Sequence, residues 1–157
     1  MLSGAARDRY FMSLALGEAR KAARKGEVPV GAVVVSGESV VSLGRNAMIG
    51  SNDPTAHAEV GALRKAARAS GTYRLPECEL YVTLEPCAMC LGAIVQARIR
   101  RLVYGASDPK SGAVRSVMRF PFRKLNHRPV VETGIMALEC GEILKEFFRA
   151  RRAQAKR

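Results

Sequence analysis

Between Asp8 and Lys25 the apolar residues Phe11, Leu14, Ala15, Ala19, Ala22 and Ala23 recur at helical spacing, while Arg20, Lys21, Arg24 and Lys25 occupy the rest of the cylinder. This pattern predicts an amphipathic helix that Gly26 ends. Two runs rich in β-branched residues follow, 31–36 and 40–44, separated by Gly37-Glu38, and predict a β-hairpin. Asp53-Pro54-Thr55 offers a capping side chain and a proline suited to a first helical turn, so a helix is expected over 58–69 with His57 and Glu59 at its start. Residues 79–83 read as a strand. Pro86 is expected to open a helix carrying Cys87, Cys90, Leu91, Ala93, Ile94 and Val95, and residues 101–106 form the next strand.

Residues 107–129 mix turn formers, bulky side chains and several Lys and Arg without periodicity. They are expected to be mostly loop with one short helix, and a loop of that length inside a domain points to function. Helical spacing returns over 136–152, with Ile143, Leu144, Phe147 and Phe148 on or near one face, and the segment 136–157 ends in a basic tail of Arg149, Arg151, Arg152, Lys156 and Arg157. The alternation of strands and helices predicts a layered α/β domain with its sheet covered on both faces. A chain of 157 residues, 48% of them hydrophobic, has room for one such core, so residues 1–157 are read as a single domain.

Charge sharpens this picture. The chain carries 26 Lys and Arg against 14 Asp and Glu, a formal net charge of +12, which points to an acidic polymer as partner. No stretch reaches the roughly 18 consecutive apolar residues of a membrane span, and the N-terminus lacks a basic start followed by an apolar run. A cytoplasmic protein with no membrane partner is expected. Four cysteines are too few for a disulfide scaffold, and a reducing compartment fits them.

Two of those cysteines carry chemistry. His57-Ala58-Glu59 and Pro86-Cys87-Ala88-Met89-Cys90 together supply one imidazole and two thiols from two separate helix starts. Zinc takes nitrogen and sulfur ligands in a tetrahedron, and a site with three protein ligands keeps a vertex for water, as catalytic zinc does. The i, i+3 spacing puts both sulfurs on one side of a helical turn, whose N-terminus favours their ionised form. Bound zinc brings the pKa of water to about 7, so a zinc-bound hydroxide is the expected nucleophile and Glu59, two residues from a ligand, the expected proton shuttle. A lone Cys-x-x-Cys would also suit a redox pair or half a structural zinc knuckle, and a lone histidine is more often packed than ligating. Cys78 and Cys140 have no ligand-like neighbours and read as small buried hydrophobes or passive surface thiols, outside the metal site. His127, in a loop, reads as a structural hydrogen-bonding residue.

The H-x-E and P-C-x-x-C pair resembles the signature of the zinc nucleobase deaminases. Over about residues 8–152 the chain resembles more narrowly the bacterial tRNA-specific adenosine deaminases, in Glu27-Val28-Pro29-Val30-Gly31-Ala32, in Asp53-Pro54-Thr55-Ala56-His57-Ala58-Glu59 and in Tyr81-Val82-Thr83-Leu84-Glu85-Pro86-Cys87-Ala88-Met89-Cys90. The likeness continues in Tyr104-Gly105-Ala106-Ser107-Asp108, Asn126-His127-Arg128 and Phe147-Phe148-Arg149. It implies a three-layer α/β/α cytidine deaminase-like fold with a mixed five-stranded sheet flanked by helices. It also implies a homodimer with one zinc per subunit, and hydrolytic deamination of adenosine to inosine at the wobble position of a tRNA anticodon loop. By position, His57, Cys87 and Cys90 would hold the zinc and Glu59 would move protons. Val30 and Asn46 would line the base pocket, Asp108 would meet the sugar and backbone beside the flipped base, and Arg149, Arg151 and Arg152 would supply basic contacts. The chain departs from the family pattern before Asn126, where Met118-Arg119-Phe120-Pro121-Phe122-Arg123-Lys124-Leu125 replaces an acidic, histidine-containing segment.

Two other readings compete. A deaminase of a free nucleobase or nucleotide, guanine or a pyrimidine, would share the zinc motif but need no extended basic surface. A zinc-stabilised RNA-binding module without catalysis would use the metal for folding alone.

Overall fold

The first amphipathic segment folds as α1 (Gly4–Arg24), starting four residues before the predicted boundary because Gly4, Ala5 and Ala6 are exposed and carry no apolar period to read. The hairpin follows as β1 (Gly31–Ser36) and β2 (Ser39–Arg45). A short helix, α2 (Met48–Ser51), leads to α3 (Ala58–Ser70), β3 (Cys78–Leu84), α4 (Ala88–Ala97) and β4 (Arg101–Ala106). The last elements are β5 (Val130–Thr133) and α5 (Ala137–Ala155), with a single 3-10 turn at Phe122–Lys124 in the long connection before them. The chain is described by a computed structural model over residues 2–156; Met1 and Arg157, the last cation of the expected basic tail, lie outside the described residues.

The strands form one mixed sheet in the order β2-β1-β3-β4-β5. β1 runs antiparallel to β2 and β3, whereas β3, β4 and β5 are parallel. One face packs α3 and α4 against Val34, Leu80, Val82, Leu102 and Tyr104, and the other packs α1 and part of α5 against Val33, Val35, Tyr81 and Val103. The alternation along each strand sorts these side chains to the two faces, giving the expected three layers. None of the helices among the described residues is long and apolar enough to cross a membrane.

Three details differ from the sequence reading. Asp53 does not cap α3; its carboxylate accepts the N–H and hydroxyl of Thr55 in a local turn, and His57 takes the N-cap position. Pro86 lies one residue before the N-cap, Cys87, rather than inside the helix. β5 went unread because its four residues are largely exposed and show no alternation.

Two contacts set how closely the layers approach. A β-carbon on Gly31 would meet the Ala19 nitrogen of α1 at 2.6 Å, and one on Gly44 would meet the Ala62 nitrogen of α3 at 2.6 Å, so glycine lets one helix backbone touch each side of the hairpin. At the N-terminal end of the parallel strands, Arg101 bridges Asp8 at 2.7 Å and Glu79 at 2.8 Å, and Arg7 reaches Glu79 at 3.0 Å. The Tyr81 hydroxyl donates to Asp8 at 2.6 Å. Burial alone would push both carboxyls up; hydrogen bonds from Arg101, joined by Tyr81 on Asp8 and Arg7 on Glu79, outweigh it and hold both below the usual carboxylate range.

Gly44→Ala should therefore cost about 1–3 kcal/mol, read as a lower urea midpoint at unchanged slope. Arg101→Gln leaves two buried carboxylates short of a partner and should cost about 3–5 kcal/mol at pH 7. Depressed carboxyls stabilise above their unfolded pKa of about 4, and that stability is lost as pH falls through the folded values. The gap between wild type and Arg101→Gln should accordingly close as urea midpoints are followed below pH 4, and a gap constant from pH 7 to 3 would overturn this account.

Candidate active site

Two helices begin at the C-terminal end of β3 and beside the end of β2. His57 is the N-cap of α3 and Cys87 the N-cap of α4, and Cys90 lies one turn on, fully buried. The His57 Nδ1 stands 3.6 Å from Cys87 Sγ and 3.5 Å from Cys90 Sγ, and the three donor atoms all lie within 4.8 Å of one another. A tetrahedron with metal–sulfur bonds of about 2.3 Å and metal–nitrogen bonds of about 2.0–2.1 Å has nitrogen–sulfur edges of about 3.5–3.6 Å. The donor chemistry and the spacing both fit zinc.

The electrostatics support an anionic sulfur. A hydrogen bond from Cys90, joined by His57, holds the Cys87 thiol down to about 4 against the opposing effect of burial, and the same sulfur pair pushes Cys90 up. Both helix N-termini add a positive field. Glu59, in the first turn of α3 and 4% exposed, is pushed up to about 7 by burial, with His57 pulling the other way.

A histidine used as ligand cannot also cap its helix. Asn46, just past β2, supplies the acceptor instead: its Oδ1 takes the Ala58 N–H at 2.9 Å, a cap delivered from another element. The Asn46 N–H in turn donates to the Val30 carbonyl at 3.1 Å, which joins the two residues expected to line a base pocket; both are buried.

Asp108 follows β4 and its Oδ1 accepts the N–H groups of Lys110 at 3.0 Å and Ser111 at 3.3 Å, so part of its carboxylate shapes its own loop. Of the three C-terminal arginines, Arg151 is engaged within the fold, its guanidinium 4.8 Å from the Phe147 ring centre and bonded to the Gly26 carbonyl. Arg149 and Arg152 are exposed, with no charged-group partner among the described residues. Phe148, expected near an apolar helix face, is 39% exposed and carries Lys110 over its ring. His127 Nε2 donates to the Ile99 carbonyl at 2.7 Å, and Cys78 and Cys140 are buried among hydrophobic residues, apart from the metal-binding group.

Two further buried carboxylates, beyond Asp8 and Glu79, had no role in the sequence reading. Glu85 accepts the N–H of Asp108 at 3.1 Å, those of Val114 and Arg115 at 3.0 Å, that of Ser116 at 3.1 Å, and the Ser116 hydroxyl. Burial works against its charge, but the N–H groups of Arg115, Asp108 and Ser116 and the Ser116 hydroxyl hold the carboxyl below its usual range. Gly112 is needed here, since a β-carbon would run into that carboxylate. Glu27 likewise accepts the N–H groups of Ile49 at 3.0 Å and Gly50 at 2.8 Å at the start of α2. Their one sequence signal is that both stand in segments resembling the deaminase family, 27–32 and 81–90.

A mixed sheet between helices, with a His-x-Glu helix start facing a Pro-Cys-x-x-Cys helix start at one end, defines a nucleobase deaminase with the cytidine deaminase-like fold. Residues 6–152 match the MafB19-like deaminase family. Over 144 residues the chain is 51% identical to a tRNA-specific adenosine deaminase of Agrobacterium fabrum, covering 91% of this chain and 95% of that one. A solved chain from work on A-to-I editing by tRNA:A34 deaminases superposes with a TM-score of 0.82 at 51% identity, over 86% of this chain and 99% of that one. The guanine deaminase of Nitrosomonas europaea is more distant, with a TM-score of 0.73 at 25% identity over 94% of this chain and 85% of that one. The chain belongs to the tRNA-specific adenosine deaminase family.

Glu85→Gln aims an amide donor at a ring of N–H donors and should cost about 1–3 kcal/mol. The change should appear as faster hydrogen exchange at Val114, Arg115 and Ser116 with the amides of α3 unaffected; exchange unaltered in that loop would show that Glu85 does not hold it.

Proposed function

We infer that this enzyme hydrolyses adenosine to inosine at the wobble position of a tRNA anticodon, in the cytoplasm, as a homodimer with one zinc in each subunit. The observation that carries the reading is the His57, Cys87 and Cys90 cluster at tetrahedral spacing, with the buried carboxyl of Glu59 two residues from His57 in the first turn of α3. Its placement in a chain 51% identical to a tRNA-specific adenosine deaminase supplies the substrate.

Zinc held by His57, Cys87 and Cys90 would activate water for attack on the amidine carbon of adenine. The rest is work for the chain's own groups. Glu59 takes a proton from the attacking water and returns protons to the purine ring and to the departing amine, so that adenosine and water become inosine and ammonia. A carboxyl raised to about 7 can both accept and donate near neutral pH. Val30 and Asn46 wall the pocket that receives the flipped base, and Asn46 keeps α3 in place while doing so. Asp108 faces the sugar and backbone of the target nucleotide. Arg149 and Arg152 meet phosphates, whereas Arg151 braces α5 against the loop before β1. Turning a base out costs a few kcal/mol and least in a loop, which suits an anticodon. Met89, exposed at 38% in the first turn of α4, supplies apolar surface for a second subunit near the site.

Glu59→Ala should lower inosine formation on a tRNA bearing wobble adenosine by about 10²–10⁴-fold, measured by mass spectrometry, with zinc content unchanged. Ammonia from free guanine or cytidine with the tRNA untouched would replace the substrate by a free base. Full RNA binding with no turnover in wild type or variant would leave a zinc-stabilised binding module.

A further inference from the structure

We propose that the loop between β4 and β5 is a second RNA contact, in which Arg115, Arg119, Arg123 and Lys124 grip the phosphodiester backbone of the RNA that presents the target base. The inference rests on the RNA reading above and extends it to a surface outside the pocket.

From Pro109 to Val131 the chain holds six Lys and Arg and no Asp or Glu, in a protein that has 14 acidic residues elsewhere to draw on. The four named residues are exposed, and among the described residues no ion pair or hydrogen bond engages their charged groups. By contrast, Arg7, Arg45, Arg100 and Arg101 each reach a carboxylate within the fold. Concentrated like charge repels itself and destabilises a compact loop unless a polyanion neutralises it.

This loop is also fixed in place. Glu85 gathers the N–H groups of Asp108, Val114, Arg115 and Ser116, the Pro86 carbonyl accepts the Ala113 N–H at 2.9 Å, and the Ala113 carbonyl accepts the Phe120 N–H at 2.9 Å. Phe120 and Phe122 pack on the core with ring centres 4.9 Å apart, wedging the stretch that carries Arg119 and Arg123. Because Glu85 and Pro86 directly precede Cys87, the anchored start of the loop, with Arg115, is held to the metal-binding helix, and the other three cations follow along the same connection to β5. A line of cations that starts there fits the phosphates that continue away from a base taken out of a nucleic acid. A second copy of this chain, itself at +12, offers little acidic surface to meet it.

The test is equilibrium binding of the zinc-loaded full chain to a labelled tRNA bearing wobble adenosine, as a function of salt. Three proteins are compared: wild type, the combined Arg115→Gln, Arg119→Gln, Arg123→Gln, Lys124→Gln variant, and a control of equal charge change, Arg9→Gln, Arg20→Gln, Arg24→Gln, Lys25→Gln, on α1. Each lost phosphate contact flattens the plot of log K against log salt by about 0.7–0.9, so the loop variant should be shallower by about 3 and the control nearly unchanged. Steady-state kinetics should place the loop variant's loss mainly in KM, with zinc content and Tm as folding controls. Equal flattening in both variants would reduce the effect to net charge and overturn the proposal. So would an unchanged slope together with an altered mass in sedimentation, which would assign the loop to subunit contact. If wild type binds tRNA but forms no inosine, the functional reading fails while the slopes still judge the loop; no RNA binding at all would sink both.

Discussion

The imidazole of His57 and the sulfur of Cys87 stand 3.6 Å apart although 30 residues separate them, because two helices start at the same point above the end of the sheet. Holding two helix starts together is costly in itself. Each has unsatisfied N–H groups, each carries a positive end, and neither N-cap side chain is free to cap. The fold meets these needs from elsewhere. Asn46 caps α3 from the end of β2, the Cys87 sulfur sets negative charge against the start of α4, and the bare backbone at Gly44 lets α3 settle on the hairpin.

The two ends of the parallel strands are stabilised by opposite means. Where β3 and β4 begin, buried carboxylates meet guanidinium groups, and the charges balance within the protein. Where they end, Glu85 meets backbone N–H groups, so anionic charge orders a loop without using up any of that loop's cations. The first arrangement closes a surface. The second leaves the start of the loop fixed, with its positive side chains exposed, against the residues that lead into Cys87.

Much of this was legible in the sequence because it is local. The hairpin shows in two β-branched runs around Gly37, the long helices show in their apolar period, and the ligand set shows in His57-Ala58-Glu59 and Cys87-Ala88-Met89-Cys90, whose spacing reports helix geometry directly. What stayed hidden depends on partners distant in the chain. Arg151 reads as one more basic residue of a tail until it is seen bonded to the carbonyl of Gly26, 125 residues away. Asp53 has the composition of a helix cap, yet the cap comes from Asn46, which has no helix of its own. Glu85 and Glu27 look like solvent-facing acids because nothing adjacent to them reveals that a later segment, a loop in one case and the start of α2 in the other, will fold its amides around them. β5 is ordered by its pairing to β4 rather than by its own residues.

The glycines of the hairpin carry this dependence across the molecule. Gly31 brings the backbone of α1 against one face of β1, and Gly44 brings the backbone of α3 against the opposite face of the neighbouring strand. Both helices thus take their positions from the same two strands, and the layer between them is as thin as a peptide chain allows. For evolution this makes α1 a constrained partner of a site it never touches. A side chain on Gly31 would strike the backbone of the fully buried Ala15 and Ala19 and force α1 off the hairpin on which the helix bearing His57 and Glu59 also rests.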